Sequence, residues 1–325
     1  MRRRSALPDD AVIACRLIVS AAADALLEQL LGRLRDRGYR FVPPTPETHR
    51  RFVARREAAG GIRDVLGWSL PFPRSVLPQD IFDLLQGAGM LEGRGSHFRS
   101  KVRVASLGDS LFLHSAYPTD DPDSVFFGPD SYRFVNFLER ELAGRAVPAN
   151  LVDIGTGSGV GGICAAKLLP GVGATLIDIN PLALRFARVN ARHNRVAVAM
   201  IEGSGVGPVR GPIELAISNP PFIMDKKSRA YRDGGDMRGA GLSLQWALAT
   251  AAKLAPGGRT LLYTGSAIVG GSDLLEEALR AQLPKNCGLR YTELDPDIFG
   301  EQIDEPGYEE VERIAAVGAV IERLE

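Results

Sequence analysis

Three short stretches of this 325-residue chain carry the residue types that chemistry on a bound ligand would need. In the first, Val152-Asp153-Ile154-Gly155-Thr156-Gly157-Ser158-Gly159-Val160-Gly161-Gly162, an apolar run leads into glycines and then into a helical pattern. Glycines at such a turn let the backbone bend tightly and approach a ligand closely. The N–H groups that open the helix then face that ligand. Gly157, Gly159 and Gly162 also match the dinucleotide pattern G-x-G-x-x-G. The second stretch, Leu176-Ile177-Asp178, ends sixteen residues past Gly162. An acid at the end of that strand can accept hydrogen bonds from ribose hydroxyls. Asn180-Pro181 already supplies the cap and first turn of the next helix, which leaves Asp178 for a ligand. A nicotinamide cofactor and S-adenosylmethionine both fit this much of the pattern.

The third stretch, Ser218-Asn219-Pro220-Pro221-Phe222, follows the run Leu215-Ala216-Ile217. Two prolines in a row fix the backbone in an extended form and donate no hydrogen bonds. Asn219 therefore ends a strand with side-chain and main-chain carbonyls free to accept. Phe222 adds an aromatic ring. Together these parts suit a planar –NH2 group, with carbonyls taking its two protons and the ring covering the planar system behind it.

Positioning three such stretches requires a particular scaffold. From Asn150 onward, short apolar runs alternate with helical ones: Leu151–Ile154, a helix to Leu169, Ala174–Ile177, a helix over Pro181–Asn194, Val196–Ile201, Leu215–Ser218, a helix over Leu242–Leu254, and Arg259–Tyr263. This alternation predicts a parallel sheet with helices on both faces. The N-terminal part reads differently. Leu17, Val19, Ala22, Leu26, Leu27, Leu30, Leu31 and Leu34 lie at helical spacing, and Pro43-Pro44-Thr45-Pro46 then breaks the chain. A helix from Pro78 to Gly87 and two strands, Lys101–Leu107 and Ser110–His114, follow. These suggest a smaller α+β domain of winged-helix-like pattern over residues 1–120, with the second domain over 121–325.

At this point the sequence resembles a known family. Gly155-Thr156-Gly157-Ser158-Gly159, Asp178 and Asn219-Pro220-Pro221-Phe222, in that order, are similar to class I S-adenosylmethionine-dependent N-methyltransferases of the small-domain branch. That branch holds the release-factor glutamine methyltransferases and enzymes acting on exocyclic amines of RNA and DNA bases. The resemblance implies a Rossmann-like, doubly wound, seven-stranded domain. It also implies that Asp153 and the turn of Gly155, Thr156, Gly157 and Gly159 hold the cofactor's methionine end. Asp178, with Ile179 beside it, would take the ribose. Asn219, Pro220 and Phe222 would be catalytic, and Pro221, Phe222, Tyr231 and Arg232 would meet the substrate. Phe127-Gly128-Pro129-Asp130 stands where the family closes over the cofactor, with Phe126 and Tyr132 as neighbours. The sequence departs from the family at the third strand, where Ile201-Glu202-Gly203-Ser204-Gly205 lacks the usual Asp, so Ser204 or Glu202 would take the adenine contact.

Composition narrows the classes further. Charged residues are 24% and hydrophobic ones 45%, ordinary globular usage that excludes a disordered or fibrous chain. No apolar run reaches the roughly 18–20 residues of a membrane span, no cleavable leader follows Arg2-Arg3-Arg4, and Cys15, Cys164 and Cys287 are too scattered for a zinc site or a disulfide framework. A cytoplasmic protein without membrane or metal is expected. Residues 1–60 hold 12 Arg against 7 acids, which can attract a polyanion, whereas residues 291–325 hold 2 Arg against 11 acids and would repel one. Lys226, Lys227, Arg229 and Arg232 make the loop after Phe222 basic, as contact with a phosphate backbone would require. The expected acceptor is a base amine of RNA or a glutamine of a protein such as a release factor. The alternatives are a small-metabolite N-methyltransferase, an NAD-type oxidoreductase, or a non-catalytic adenosylmethionine-binding module.

Overall fold

The structure, a computed structural model, describes residues 9–225 and 231–324, with side chains described from residue 21 onward. Leu17 and Val19 of the N-terminal apolar pattern fall outside the described side chains. Lys226, Lys227 and Arg229 of the basic loop fall outside the described residues. The chain divides into two compact units, Met1–Tyr117 and Pro118–Glu325.

Among the described residues, the first unit has four α-helices, α1 (Asp9–Asp36), α2 (Pro46–Val53), α3 (Ile62–Leu66) and α4 (Gln79–Gly87). Two antiparallel hairpins follow, β1 (Leu91–Arg94) with β2 (His97–Ser100) and β3 (Val102–Leu107) with β4 (Ser110–Ser115). Leu27, Leu30, Leu31 and Leu34 form one fully buried stripe of α1, the spacing expected of an amphipathic helix. Thr45 caps α2 by accepting from Thr48 N, and Pro46 occupies the first turn, where its missing N–H costs nothing. Arg103, His49 and His114 are buried together, with Arg103 Nη1 3.4 Å from His49 Nδ1. The hairpin β1–β2 has no counterpart in the sequence reading. Glu92, Arg94 and Arg99 give it a solvated, charged surface in place of an apolar alternation.

The second unit contains α5 (Pro129–Leu142), β5 (Asn150–Ile154), α6 (Val160–Leu168), β6 (Gly173–Asp178), α7 (Pro181–His193), β7 (Val198–Glu202) and β8 (Ile213–Ser218). It continues with α8 (Gly241–Ala251), β9 (Leu254–Val269), β10 (Ser272–Asp273), α9 (Leu274–Gln282), β11 (Cys287–Asp295) and β12 (Val311–Arg323). The main sheet runs β11-β12-β9-β8-β5-β6-β7, with the two-residue β10 against β9. Strands β5 to β9 pair in parallel, whereas β12 is antiparallel to both its neighbours. One buried cluster joins α5, α6 and α7 residues such as Phe134, Phe137, Ala165 and Ala187; another joins Leu244, Ala247, Leu275 and Leu279 of α8 and α9. The fold is therefore the expected Rossmann-like, doubly wound α/β domain with a seven-strand path. Its strand order reverses beside β5, and ligands of open α/β sheets bind outside the carboxyl ends of the strands at such a point.

One expectation about elements needs correction. The run Arg259–Tyr263 is only the middle of a 16-residue strand. The acidic C-terminal region also carries apolar packing, in the segment Glu293–Glu312. That segment spans the end of β11, the start of β12 and a connection whose Phe299, Gln302 and Tyr308 pack beneath the β8 motif.

Candidate active site

A cavity of about 450 Å³ opens at the carboxyl ends of β5, β6 and β8. The glycine turn forms its floor. Gly155, Gly157 and Gly159 have φ values of 68°, 54° and 82°, left-handed conformations that only glycine adopts without strain. Gly155 N and Thr156 N both donate to Ile177 O, at 2.9 and 3.0 Å, which ties the turn to β6. A Cβ on Gly155 would stand 2.8 Å from the Trp246 ring of α8. Nothing stands within 4 Å of a Cβ built on Gly157, so the backbone there is open to close approach.

Asp153 lies under this turn, 2% exposed. Its Oδ2 accepts from Thr156 Oγ1 at 2.5 Å and from Gly162 N at 2.8 Å. Its Oδ1 has no hydrogen-bond partner among the described residues. Burial raises its pKa to about 6, against the pull of those two donors. Asp178 is fixed from both sides: Oδ2 accepts from Gly157 N at 2.8 Å and Oδ1 from Asn180 N at 2.9 Å. Burial raises its pKa as well. Asn180 caps α7 through Leu182 N at 2.9 Å, as its place in the sequence suggested, and its Nδ2 donates to Asp123 O at 2.7 Å. Ile179 is 52% exposed and lines the cavity beside Asp178. Ser204 lines it too, whereas Glu202 is exposed on β7 outside the lining.

Asn219, Pro220, Pro221 and Phe222 form the wall at the end of β8. The half-buried Asn219 side chain has no hydrogen-bond partner among the described residues. Phe222 is 8% exposed, and its ring meets Phe299 edge-on at 5.6 Å. The backbone just after it is doubly tied, with Ile223 N donating to Arg232 O at 3.2 Å and Gly234 N to Ile223 O at 2.8 Å. Tyr231 and Arg232 line the same cavity. Tyr231 Oη donates to Thr119 O at 2.7 Å, and its ring lies 6.0 Å from Phe126 at 13°. Arg232 Nη2 donates to Gln302 Oε1 at 2.8 Å and stands 3.9 Å from Asp225, so this cation is already engaged within the protein.

Of the residues that the sequence singled out for the cofactor and the acceptor, all but Gly159, at the N-cap of α6, and Glu202 line this one cavity. Tyr132 does not; it packs edge-on against Phe127 at 5.5 Å. Sequence reasoning missed Trp246 and Phe299. Trp246 sits in the helix expected over Leu242–Leu254, where one apolar residue among many forms no motif. Phe299 is hidden in an acidic loop, held at φ 56°, an unusual conformation for a bulky residue. Among the described residues, no group of His, Cys, Asp and Glu could hold a metal, and no helix is long and apolar enough to cross a membrane.

The left-handed glycine turn, the acceptor oxygens of Asp178 and Asp153 and the exposed apolar Ile179 form a fitting cradle for a nucleoside with an amino-acid tail. Comparison with known proteins agrees. The model of the methyltransferase small domain matches residues 133–233. The release factor glutamine methyltransferase of Bordetella pertussis is 32% identical over 210 residues, 62% of this chain and 76% of that one. The ribosomal protein L11 methyltransferase of Sinorhizobium fredii is 33% identical over 165 residues, 46% of this chain and 53% of that one. The ribosomal RNA small subunit methyltransferase C of Ectopseudomonas mendocina is 28% identical over 102 residues, 27% of this chain and 31% of that one. With its site assembled at the reversal of strand order and a relative matched over three quarters of its length, this chain belongs to the class I S-adenosylmethionine-dependent methyltransferases of the small-domain family.

Proposed function

We propose that this chain methylates a planar amine or amide nitrogen, either an exocyclic base amine of RNA or a glutamine side chain of a protein. The observation that carries this reading is the Asn219 side chain, which faces the cavity of the glycine turn and Asp178 with its hydrogen-bonding capacity unspent. The cofactor supplies an activated methyl on a sulfonium. The protein's work is alignment and exclusion of water, and alignment alone can supply up to ~7–11 kcal/mol in the best intramolecular cases. The carbonyls of Asn219 and Pro220 accept hydrogen bonds from the two N–H groups of the target –NH2, aim its lone pair at the methyl, and stabilise the positive charge that develops on nitrogen. As the N–C bond forms the S–C bond breaks, S-adenosylhomocysteine leaves, and the methylated nitrogen releases one proton to solvent. The rings of Phe222 and Phe299 cover the planar group.

On the cofactor side, Asp153 Oδ1 takes the α-ammonium, Asp178 the ribose hydroxyls, and Ile179 and Ser204 the adenine. The names of the relatives cover both acceptor classes, a release factor glutamine and ribosomal RNA. The N-terminal unit is assigned the docking of the macromolecule. The deciding experiment is calorimetry with S-adenosylhomocysteine and with NAD on wild type and Asp178→Ala, followed by labelled methyl transfer to RNA, release factors and small amines. Micromolar binding of S-adenosylhomocysteine, weakened by the substitution, is expected. Binding of NAD alone refutes the reading, and transfer only to a small amine refutes the macromolecular acceptor.

A further inference from the structure

The cavity has a second buried carboxylate, the last residue of the Phe127-Gly128-Pro129-Asp130 segment, to which the resemblance assigns no role of its own. Asp130, in the first turn of α5, is 3% exposed yet lines the cavity. Its Oδ1 accepts from Tyr263 Oη at 2.7 Å and from Arg133 Nη1 at 3.3 Å. No described residue hydrogen-bonds Oδ2. Arg133 also pairs with Asp295 at 3.0 Å, so with both carboxylates ionised the group Asp130, Arg133 and Asp295 carries one net negative charge.

The sheet register shows which part of the cavity this carboxylate serves. Leu262 of β9 pairs with Ser218 of β8, so the next residue, Tyr263, stands level with Asn219. Two residues further along β9, Gly265 lies against the Phe222 ring. Asp130, bound to Tyr263, thus belongs to the Asn219–Phe222 side. Asp153, by contrast, is gripped by the glycine turn through Thr156 and Gly162.

Resting on the methyl-transfer reading, we propose that Asp130, aimed by Tyr263, is the counter-charge for the cationic reacting centre, the sulfonium before transfer and the alkylated nitrogen after it. A sulfonium cannot shed its charge by losing a proton, so burying it among apolar rings such as Phe134 and Phe222 requires a fixed negative partner. A carboxylate in a water-poor pocket meets that need, because attraction between charges strengthens as the effective dielectric falls. Tyr263, fully buried and outside the cavity lining, is a positioning residue. Burial raises the Asp130 pKa, and the hydrogen bond from Tyr263 together with Arg133 opposes that rise, favouring the ionised carboxylate while Oδ2 is left for the cation.

The test compares cationic and neutral ligands of nearly the same shape. Dissociation constants are measured by calorimetry on the full chain for S-adenosylmethionine, sinefungin (an amine cation in place of the sulfonium) and neutral S-adenosylhomocysteine. Wild type is compared with Asp130→Asn and Tyr263→Phe. In Asp130→Asn both cationic ligands should lose about tenfold, a difference of about 1.4 kcal/mol, while S-adenosylhomocysteine changes less than twofold. Tyr263→Phe should show the same split at about threefold. Binding of S-adenosylhomocysteine certifies that each variant is folded. Equal weakening of all three ligands, loss of S-adenosylhomocysteine binding, or no change in any, would each overturn the proposal. Failure of wild type to bind any of them would instead overturn the methyltransferase reading beneath it.

Discussion

Gly265 of β9 lies so close to Phe222 that a Cβ built on it would stand 2.7 Å from the ring's Cε2. The ring is thus seated by the absence of a side chain one strand away. Gly265→Ala should push Phe222 off its seat against Phe299, at a stability cost of about 1–3 kcal/mol, the range for overpacking a core. Methyl transfer should fall about tenfold or more, while the affinity for S-adenosylhomocysteine, held on the other side of the cavity, stays within about twofold, since a small misplacement at the reacting atoms is costly. Thermal melts, calorimetry and single-turnover rates check the three parts separately.

Asn219→Ala removes acceptor atoms that matter when charge develops on the target nitrogen. The expected loss is about 10²–10³ in kcat, the size seen when one preorganised polar group is deleted. Affinity for S-adenosylhomocysteine should change less than about threefold. A matched loss in both would place Asn219 in cofactor binding alone.

Cofactor affinity should depend on pH through Asp153. Its folded pKa, raised to about 6 by burial, means that the empty site is largely protonated below pH 6. Binding of an α-ammonium requires the ionised form, so the dissociation constant for S-adenosylhomocysteine should rise as pH falls through 6, approaching about tenfold per unit. The stability of the unliganded protein moves the opposite way. A raised carboxyl pKa means the folded state holds the proton more tightly, so this contribution grows as pH falls from 6 towards 3.8. Calorimetry at pH 5 and 7 should show the affinity trend, and Asp153→Asn should abolish it.

The N-terminal unit should be acid-labile. Burial, with the charge of Arg103, lowers His49 to about 4 and holds His114 well below its ordinary value too, although His49 Nε2 hydrogen-bonds Trp68 O at 3.0 Å. The unfolded chain takes up protons below about pH 6.5 that the folded unit refuses. Stability is therefore complete above 6.5 and lost as pH falls towards 4. Trp68, stacked on Phe52 at 3.7 Å, should report the transition by fluorescence. In His49→Gln the slope of stability against pH should be shallower over that interval; an unchanged slope would remove His49 from the account.

How much of this was readable in the sequence depended on distance along the chain. The glycine turn, Asp178 with its Asn180 cap, and Asn219 are local, each set by residues within a few positions, and their type and order were enough. The sheet centre was legible for the same reason, because β5, β6 and β8 are short apolar runs ended by turn residues. Strand β9 was read short because Pro256-Gly257-Gly258 interrupt its start, and only pairing across to Leu215 shows that the strand carries through. The final strand was obscured by acids at its ends, although Ile314–Ile321 is an unbroken apolar run of the kind a buried strand shows. The pair Asp130–Tyr263 spans 133 positions, and no local pattern announces it. Phe299 was hidden by its acidic neighbours; its place in the cavity wall comes from the fold alone.

Strand β12 pairs with β9 from Val311↔Val269 to Glu322↔Arg259, and β11 is attached to the sheet only through β12. The loop that delivers Phe299, Gln302 and Tyr308 therefore hangs between the last two strands of the sheet. Until β12 docks, β5 to β8 can already present the glycine turn and Asp178, but the acceptor wall has no backing. Closing it requires contacts between segments 42 to 84 residues apart, the kind that form late and slowly. A folding chain should accordingly acquire affinity for the cofactor before it acquires the ability to hold a substrate.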